Sequence, residues 1–223
     1  ILDGGGRLPD DIVPIGYVIG TVGGPPDRIG RVHQVAQVLQ APILPASPVA
    51  DDCTHGIDRF GPIAEILAKY ECRLGLEFLG PKTIRDQFKH TFIYTLEGMM
   101  EFAEAVGTGN VGLLLDAWHL YTAGGSAEDL DQIENKDIVT VHVNDAPEGR
   151  SLEEQIDNDR RLPMETNVID LPAFMSKLAE LGYDGPVTPE PFSARVNAID
   201  DPVEAAKLTA EYMDRLWQAA GLE

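Results

Sequence analysis

Four ionisable side chains occupy corresponding places along the chain. Glu77 lies in Arg-Leu-Gly-Leu-Glu-Phe-Leu, Asp116 closes Val-Gly-Leu-Leu-Leu-Asp, His142 lies in Ile-Val-Thr-Val-His-Val, and Glu190 lies in Pro-Val-Thr-Pro-Glu-Pro-Phe. Each apolar run is too short for a helix and has the length of a buried parallel strand. An acid directly after such a run sits at the strand's carboxyl end, where barrel enzymes carry their chemistry. If the four meet, three packed carboxylates repel one another and take up protons unless a cation neutralises them. Three carboxylates and one imidazole are mostly hard oxygen donors, so one Mn²⁺ or Mg²⁺ ion is expected, with Zn²⁺ or Co²⁺ as alternatives. Singly, each residue has an ordinary reading. Asp116 reads equally well as a helix N-cap, and His119, three residues on, as a loop histidine. A glutamate in the apolar run at Glu77 needs a partner if it is to stay charged. Repetition at four strand ends gives the cluster its weight.

Other groups are less specific. Lys82, Thr83, Arg85 and His90 fall in a polar stretch, Gly80 to His90, read as a loop that either holds an oxygen-rich substrate or is simply solvated. Asp51, Asp52, Cys53 and His55 have no fixed ligand spacing and read as ordinary loop. His33 reads as a surface residue of a helix carrying Ile29, Val32, Val35, Ala36 and Leu39.

The elements that must position these side chains alternate. Strands are expected at Val13–Gly20, Ala41–Ser47, Arg73–Leu79, Val111–Leu115, Asp137–Val143 and Pro186–Phe192. Helices are expected up to about Tyr70, over Thr95–Val106, Ala127–Ile133, Leu171–Leu181 and Pro202–Ala219, with Ser126 as an N-cap and glycines at 107 and 182 as stops. Ala146 to Asn167 is a long charged loop, a length that in a compact domain marks a lid or another functional segment. Six βα units around one core predict a (β/α)8 barrel over a doubly wound sheet, because the ionisable residues end four successive strands and no GxGxxG opens a helix. One domain spanning residues 1–223 is expected.

Composition narrows the function. Lys+Arg number 17 against 37 Asp+Glu, a net charge of −20. Such a chain repels phosphate backbones and attracts cations, so no nucleic-acid partner is expected. Two cysteines, neither in a CxxC pair, fit a reducing, cytoplasmic setting. No apolar run reaches membrane-spanning length, and no signal-peptide pattern opens the chain.

The words Leu-Gly-Leu-Glu-Phe (74–78), Leu-Leu-Asp-Ala-Trp-His (114–119), Val-His-Val-Asn-Asp (141–145), Gly-Tyr-Asp-Gly (182–185) and Pro-Val-Thr-Pro-Glu-Pro-Phe (186–192) together resemble the xylose isomerase-like barrel superfamily of sugar isomerases and epimerases. The resemblance runs from about Ile57 to the C-terminus. It implies Glu77, Asp116, His142 and Glu190 as ligands of one divalent metal, and Glu77 and Glu190 as the pair exchanging a substrate proton. It also implies that His119 contacts substrate or metal. Beside the resemblance, Asp145 is a candidate contact of a sugar or polyol substrate, Lys82 a candidate to help neutralise the developing oxyanion, and Arg160 and Arg161 candidates for binding a phosphate or carboxylate. The implied reaction is isomerisation or epimerisation of a sugar, sugar phosphate or polyol through a metal-stabilised enediolate. The alternatives are a dehydratase of a keto-polyol, or a barrel that binds sugar or metal without turnover. An endonuclease IV-like activity is disfavoured by the acidic charge. Two departures are visible. Six strands instead of eight, with Ile as the first residue, predict that the first two strands are missing and that the barrel is marginal, swapped or completed by another copy. Pro163-Met164-Glu165-Thr166-Asn167 stands where the family commonly has a glycine-flanked acid.

Overall fold

The structure, a computed structural model, describes residues 20–23, 54–87, 93–190 and 192–222. The strand expected at 13–20 (all but Gly20), the helix around Ile29–Leu39, the strand at 41–47, and His33, Asp51, Asp52, Cys53 and His90 lie outside the described residues. Strands β1 (Gly20–Gly23), β2 (Arg73–Leu76), β3 (Val111–Asp116), β4 (Ile138–Val143) and β5 (Val187–Pro189) form one sheet in chain order. From β2 to β5 every neighbouring pair is parallel, whereas β1 runs antiparallel to β2. Consecutive parallel neighbours joined through helical segments make the arc of a (β/α) barrel.

Period-two alternation explains where the chemistry falls. Leu74, Leu76 and Phe78 alternate with Gly75 and Glu77, and Leu113 and Leu115 alternate with Leu114 and Asp116. The first members of each set are buried in the core between sheet and helices. Glu77 and Asp116 therefore belong to the opposite face, at the carboxyl ends of their strands. The register pairs Asp116 with His142 and His142 with Thr188, and Glu190 lies two residues beyond Thr188 on the same side.

Helices α1 (Thr54–Ala68), α2 (Lys82–Arg85), α3 (Leu96–Val106), α4 (Ala117–Thr122), α5 (Leu171–Glu180), α6 (Ala194–Asn197) and α7 (Pro202–Ala220) cover the sheet. The expected loop at Gly80–His90 is corrected in part, since Lys82–Arg85 coils into one helical turn after Pro81. Helix α3 shows why the periodicity is legible. Leu96, Met99, Phe102, Ala103 and Val106 are its buried stripe, the Thr95 hydroxyl accepts from Gly98 N–H, and Gly107 ends it at φ 75°. The segment expected as a helix at Ala127–Ile133 is a 3₁₀ stretch, Ala127–Gln132. Among the described residues no helix is long and apolar enough to cross a membrane.

Candidate metal centre and substrate pocket

Each of the four strand ends delivers one donor atom, and the donors of Glu77, Asp116, His142 and Glu190 lie within 4.8 Å of one another. Glu77 is 1% exposed, and among the described residues neither of its oxygens has a hydrogen-bond partner. His142 Nδ1 is also buried without one, 3.9 Å from Glu77 Oε1 and 3.7 Å from Glu190 Oε2. A buried carboxylate with no donor is costly. Unpaired oxygens and a ring nitrogen facing one point have the chemistry of a cation site, so the residues fit a divalent ion. Burial, and then the charges of Asp116 and Glu190, push the Glu77 carboxyl well above the usual range.

Asp116 serves two neighbours with two oxygens. Its Oδ1 accepts from the Trp118 and His119 N–H groups at 2.7 and 3.4 Å, capping α4. Its Oδ2 faces Arg160 Nη1 at 2.8 Å. The cap and the cluster readings of Asp116 are thus both present in one side chain. Burial alone would raise its pKa, but Arg160, His119 and His142 outweigh that and lower it to about 2.

Arg160 enters from the long 146–167 loop and is 1% exposed. Its Nη1 also reaches Glu190 Oε2 at 3.2 Å, and its Nη2 reaches Asp157 Oδ1 at 2.6 Å. The guanidinium stacks 4.4 Å from the Trp118 ring and 5.2 Å from Phe192. Desolvation opposes its charge, yet Asp116, Asp157 and Glu190 overcome this and hold it protonated. His119 is also 1% exposed, and burial lowers its pKa to about 4 against the pull of Asp116. Gly80 N–H points at the His119 Nδ1, 3.3 Å away, and Arg160 Nη2 lies 3.1 Å from its Nε2; a neutral ring has one acceptor nitrogen, so the tautomer decides which of the two contacts is a hydrogen bond. Gly80 has to be glycine here, since a Cβ would lie 2.1 Å from the His119 carbonyl oxygen.

Three expected substrate contacts are placed elsewhere. Asp145 is fully buried, and its two oxygens accept five backbone N–H groups, from Ala146, Thr166, Asn167, Val168 and Ile169. Its carboxylate holds the loop return and has no capacity left for a ligand. Lys82 pairs with Glu153 at 2.9 Å on the exposed side, its side chain 40% accessible. Arg161 pairs with Asp159 at 2.9 Å, away from the cluster. Sequence reasoning missed Asp157 and the aromatic seat of Trp118 and Phe192. The Asp157-Asn-Asp-Arg160 spacing was a usable signal, because residues three apart in a turn face each other. At Pro163–Asn167, Met164 and Asn167 adopt left-handed backbone with φ 64° and 57°, a conformation glycine takes without strain.

Comparison with known proteins places this geometry. The family model described as "Xylose isomerase-like TIM barrel" matches residues 27–216. Inosose isomerase of Halalkalibacterium halodurans is 32% identical over 166 residues, covering 74% of this chain and 54% of that protein. Inosose isomerase of Bacillus subtilis is 31% identical over 155 residues, covering 70% and 49%. The chain thus spans about half the length of the curated relatives it matches. A xylose isomerase domain protein from Alicyclobacillus acidocaldarius superposes with a TM-score of 0.66 at 32% identity, covering 77% of this chain and 61% of that one. A structure titled as IOLI protein with a bound zinc atom shares the fold, with a TM-score of 0.58 at 23% identity over 89% and 70% of the two chains. By the family match and by these relatives, the chain belongs to the xylose isomerase-like TIM barrel family.

Proposed function

We propose that this chain carries the active site of a divalent-metal-dependent isomerase or epimerase acting on a polyhydroxy ketone, with Glu77 and Glu190 exchanging the substrate proton. The observation that supports it most is the convergence of Glu77, Asp116, His142 and Glu190, the first two buried, with both Glu77 oxygens and His142 Nδ1 unpartnered among the described residues. The inosose isomerase names of the relatives point to the same chemistry. A divalent ion held by those four residues would supply Lewis-acid polarisation of the substrate oxygens. One glutamate takes the proton from the carbon beside the ketone. The C–H electron pair becomes the C=C bond, and the carbonyl pair moves onto oxygen. The other glutamate returns a proton to carbon, on the opposite face of the same carbon for epimerisation, or on the former carbonyl carbon for isomerisation, where the neighbouring hydroxyl becomes the new carbonyl as its proton passes to the former carbonyl oxygen. Arg160 and the His119 ring contact the substrate oxygens.

Two measurements test this. Elemental analysis of the purified protein should find about one divalent ion per chain, and His142→Ala should lose it. Proton NMR in D₂O should show solvent deuterium entering the carbon beside the ketone of an inosose or ketohexose. Glu190→Gln should slow that exchange at least ~100-fold with an unchanged circular dichroism spectrum; exchange at the original rate would overturn the role of Glu190. Water lost from the product would identify a dehydratase instead.

A further inference from the structure

Two pocket nitrogens lie beside a single oxygen that belongs to the protein. Arg160 Nη2 is 2.6 Å from Asp157 Oδ1, and His119 Nε2 is 3.6 Å from the same atom. The two nitrogens lie 3.1 Å apart. Arg160 Nη2 donates to that oxygen and Arg160 Nε donates to the Asp157 carbonyl at 2.8 Å, whereas His119 Nε2 lies beyond hydrogen-bond reach, so Asp157 holds the guanidinium at two points. The Asp157 side chain is 33% exposed, unlike Arg160 and His119 at 1% each, so this acceptor is the one that an incoming molecule meets from solvent.

We propose that Asp157 is a specificity-determining charge filter: its carboxylate covers the solvent side of Arg160 and excludes anionic sugars from it. The charges at hand support this. The guanidinium of Arg160 already serves Asp116 at 2.8 Å, Asp157 at 2.6 Å and Glu190 at 3.2 Å. With Glu77 included, four carboxylates face one guanidinium, and two further positive charges from a divalent ion still leave a negative excess. Lys82 does not offset it, being paired with Glu153 on the exposed side. A phosphate ester or a carboxylate would bring more negative charge to a site whose one guanidinium is already shared by three carboxylates. An uncharged hydroxyl can donate to Asp157 without adding charge. The substrate class is therefore an uncharged polyhydroxy ketone or cyclitol, not a sugar phosphate or sugar acid. This inference rests on the proposed isomerase reading for its substrate, but the filter itself is measurable without turnover.

The test uses D-glucitol and D-gluconate, which differ chiefly by a carboxylate, as ligands of the full chain in calorimetric titrations. Titrations are run with metal bound and after chelation, so that a chain with no metal fails the isomerase reading without deciding this one. The wild type should bind glucitol in preference to gluconate. Asp157→Asn should tighten gluconate at least ~10-fold, about 1.4 kcal/mol, with glucitol changing less than about twofold, and Asp157→Glu should restore exclusion. Asp157→Ser provides a second neutral variant should the asparagine protein fold poorly. Gluconate binding that is unchanged or undetectable in the neutral variants, equal tightening of both ligands, or a wild type that prefers gluconate would each overturn the proposal.

Discussion

His119 shows how one buried side chain makes the protein sensitive to acid. Its folded pKa is about 4 against an ordinary 6.5, with burial the largest cause. A depressed folded pKa gives stability that is fully present above pH 6.5 and is lost as pH falls toward and through 4, because the unfolded chain takes up a proton that the folded one refuses. At 1% exposure there is little solvent screening, and the full loss is about 3 kcal/mol. Urea midpoints of the chelated protein should fall steeply between pH 6.5 and 4.5, and His119→Gln should flatten that slope. Asp116 adds to the same trend only at lower pH, near its value of about 2, and Glu77, raised by burial, acts in the opposite direction. The residue types at the four strand ends were legible because charge after a buried apolar run is rare. The part of Asp157 was not, since an acid in a charged loop looks like any solvated acid until Arg160 turns inward beside it.

At the scale of elements, the loop from 146 to 167 is held at its ends and not by its own periodicity. Asp145 and Arg161 exchange backbone hydrogen bonds at 3.0 and 2.9 Å, and Arg160 N–H donates to the Phe192 carbonyl at 2.8 Å. The five N–H groups gathered by the Asp145 carboxylate close the loop onto the start of α5, and the left-handed residues Met164 and Asn167 make the bends this requires. Asp145→Ala leaves buried donors without an acceptor, so it should cost about 3 kcal/mol or more and also loosen Arg160. Urea denaturation with retained secondary structure checks the first, and weaker glucitol binding checks the second. The strand and helix pattern from 73 to 220 was readable because β2, β3, β4, α3, α5 and α7 each have a clean period. The one-turn helices α2 and α6 were not, since four residues complete barely one repeat. Asp145 was misread for a physical reason. It stands at a strand end like the cluster residues, and only the return of the chain at 166–169 reveals which donors it serves.

For the molecule as a whole, a charge of −20 over 223 residues opposes compaction. Salt should screen that self-repulsion. Raising NaCl from about 0.02 to 0.5 M, which shortens the screening length to a few ångströms, should raise the melting temperature of the chelated protein by several degrees in a calorimetric scan. If the melting temperature falls instead, close ion pairs such as Arg160 with Asp116 outweigh the global repulsion. Divalent ions should act more strongly and saturably, since a bound ion stabilises only the folded form.

The double engagement of Asp116 reaches further than the cation it faces. One oxygen sets the first turn of α4 and the other sets Arg160, so Trp118 and His119 cannot shift without carrying the carboxylate along. Asp-Ala-Trp-His therefore behaves as a cassette: grafted entire into another barrel strand end it would bring acid, stacking ring and imidazole in working order, whereas importing any one of them singly would deliver a side chain without its bearings.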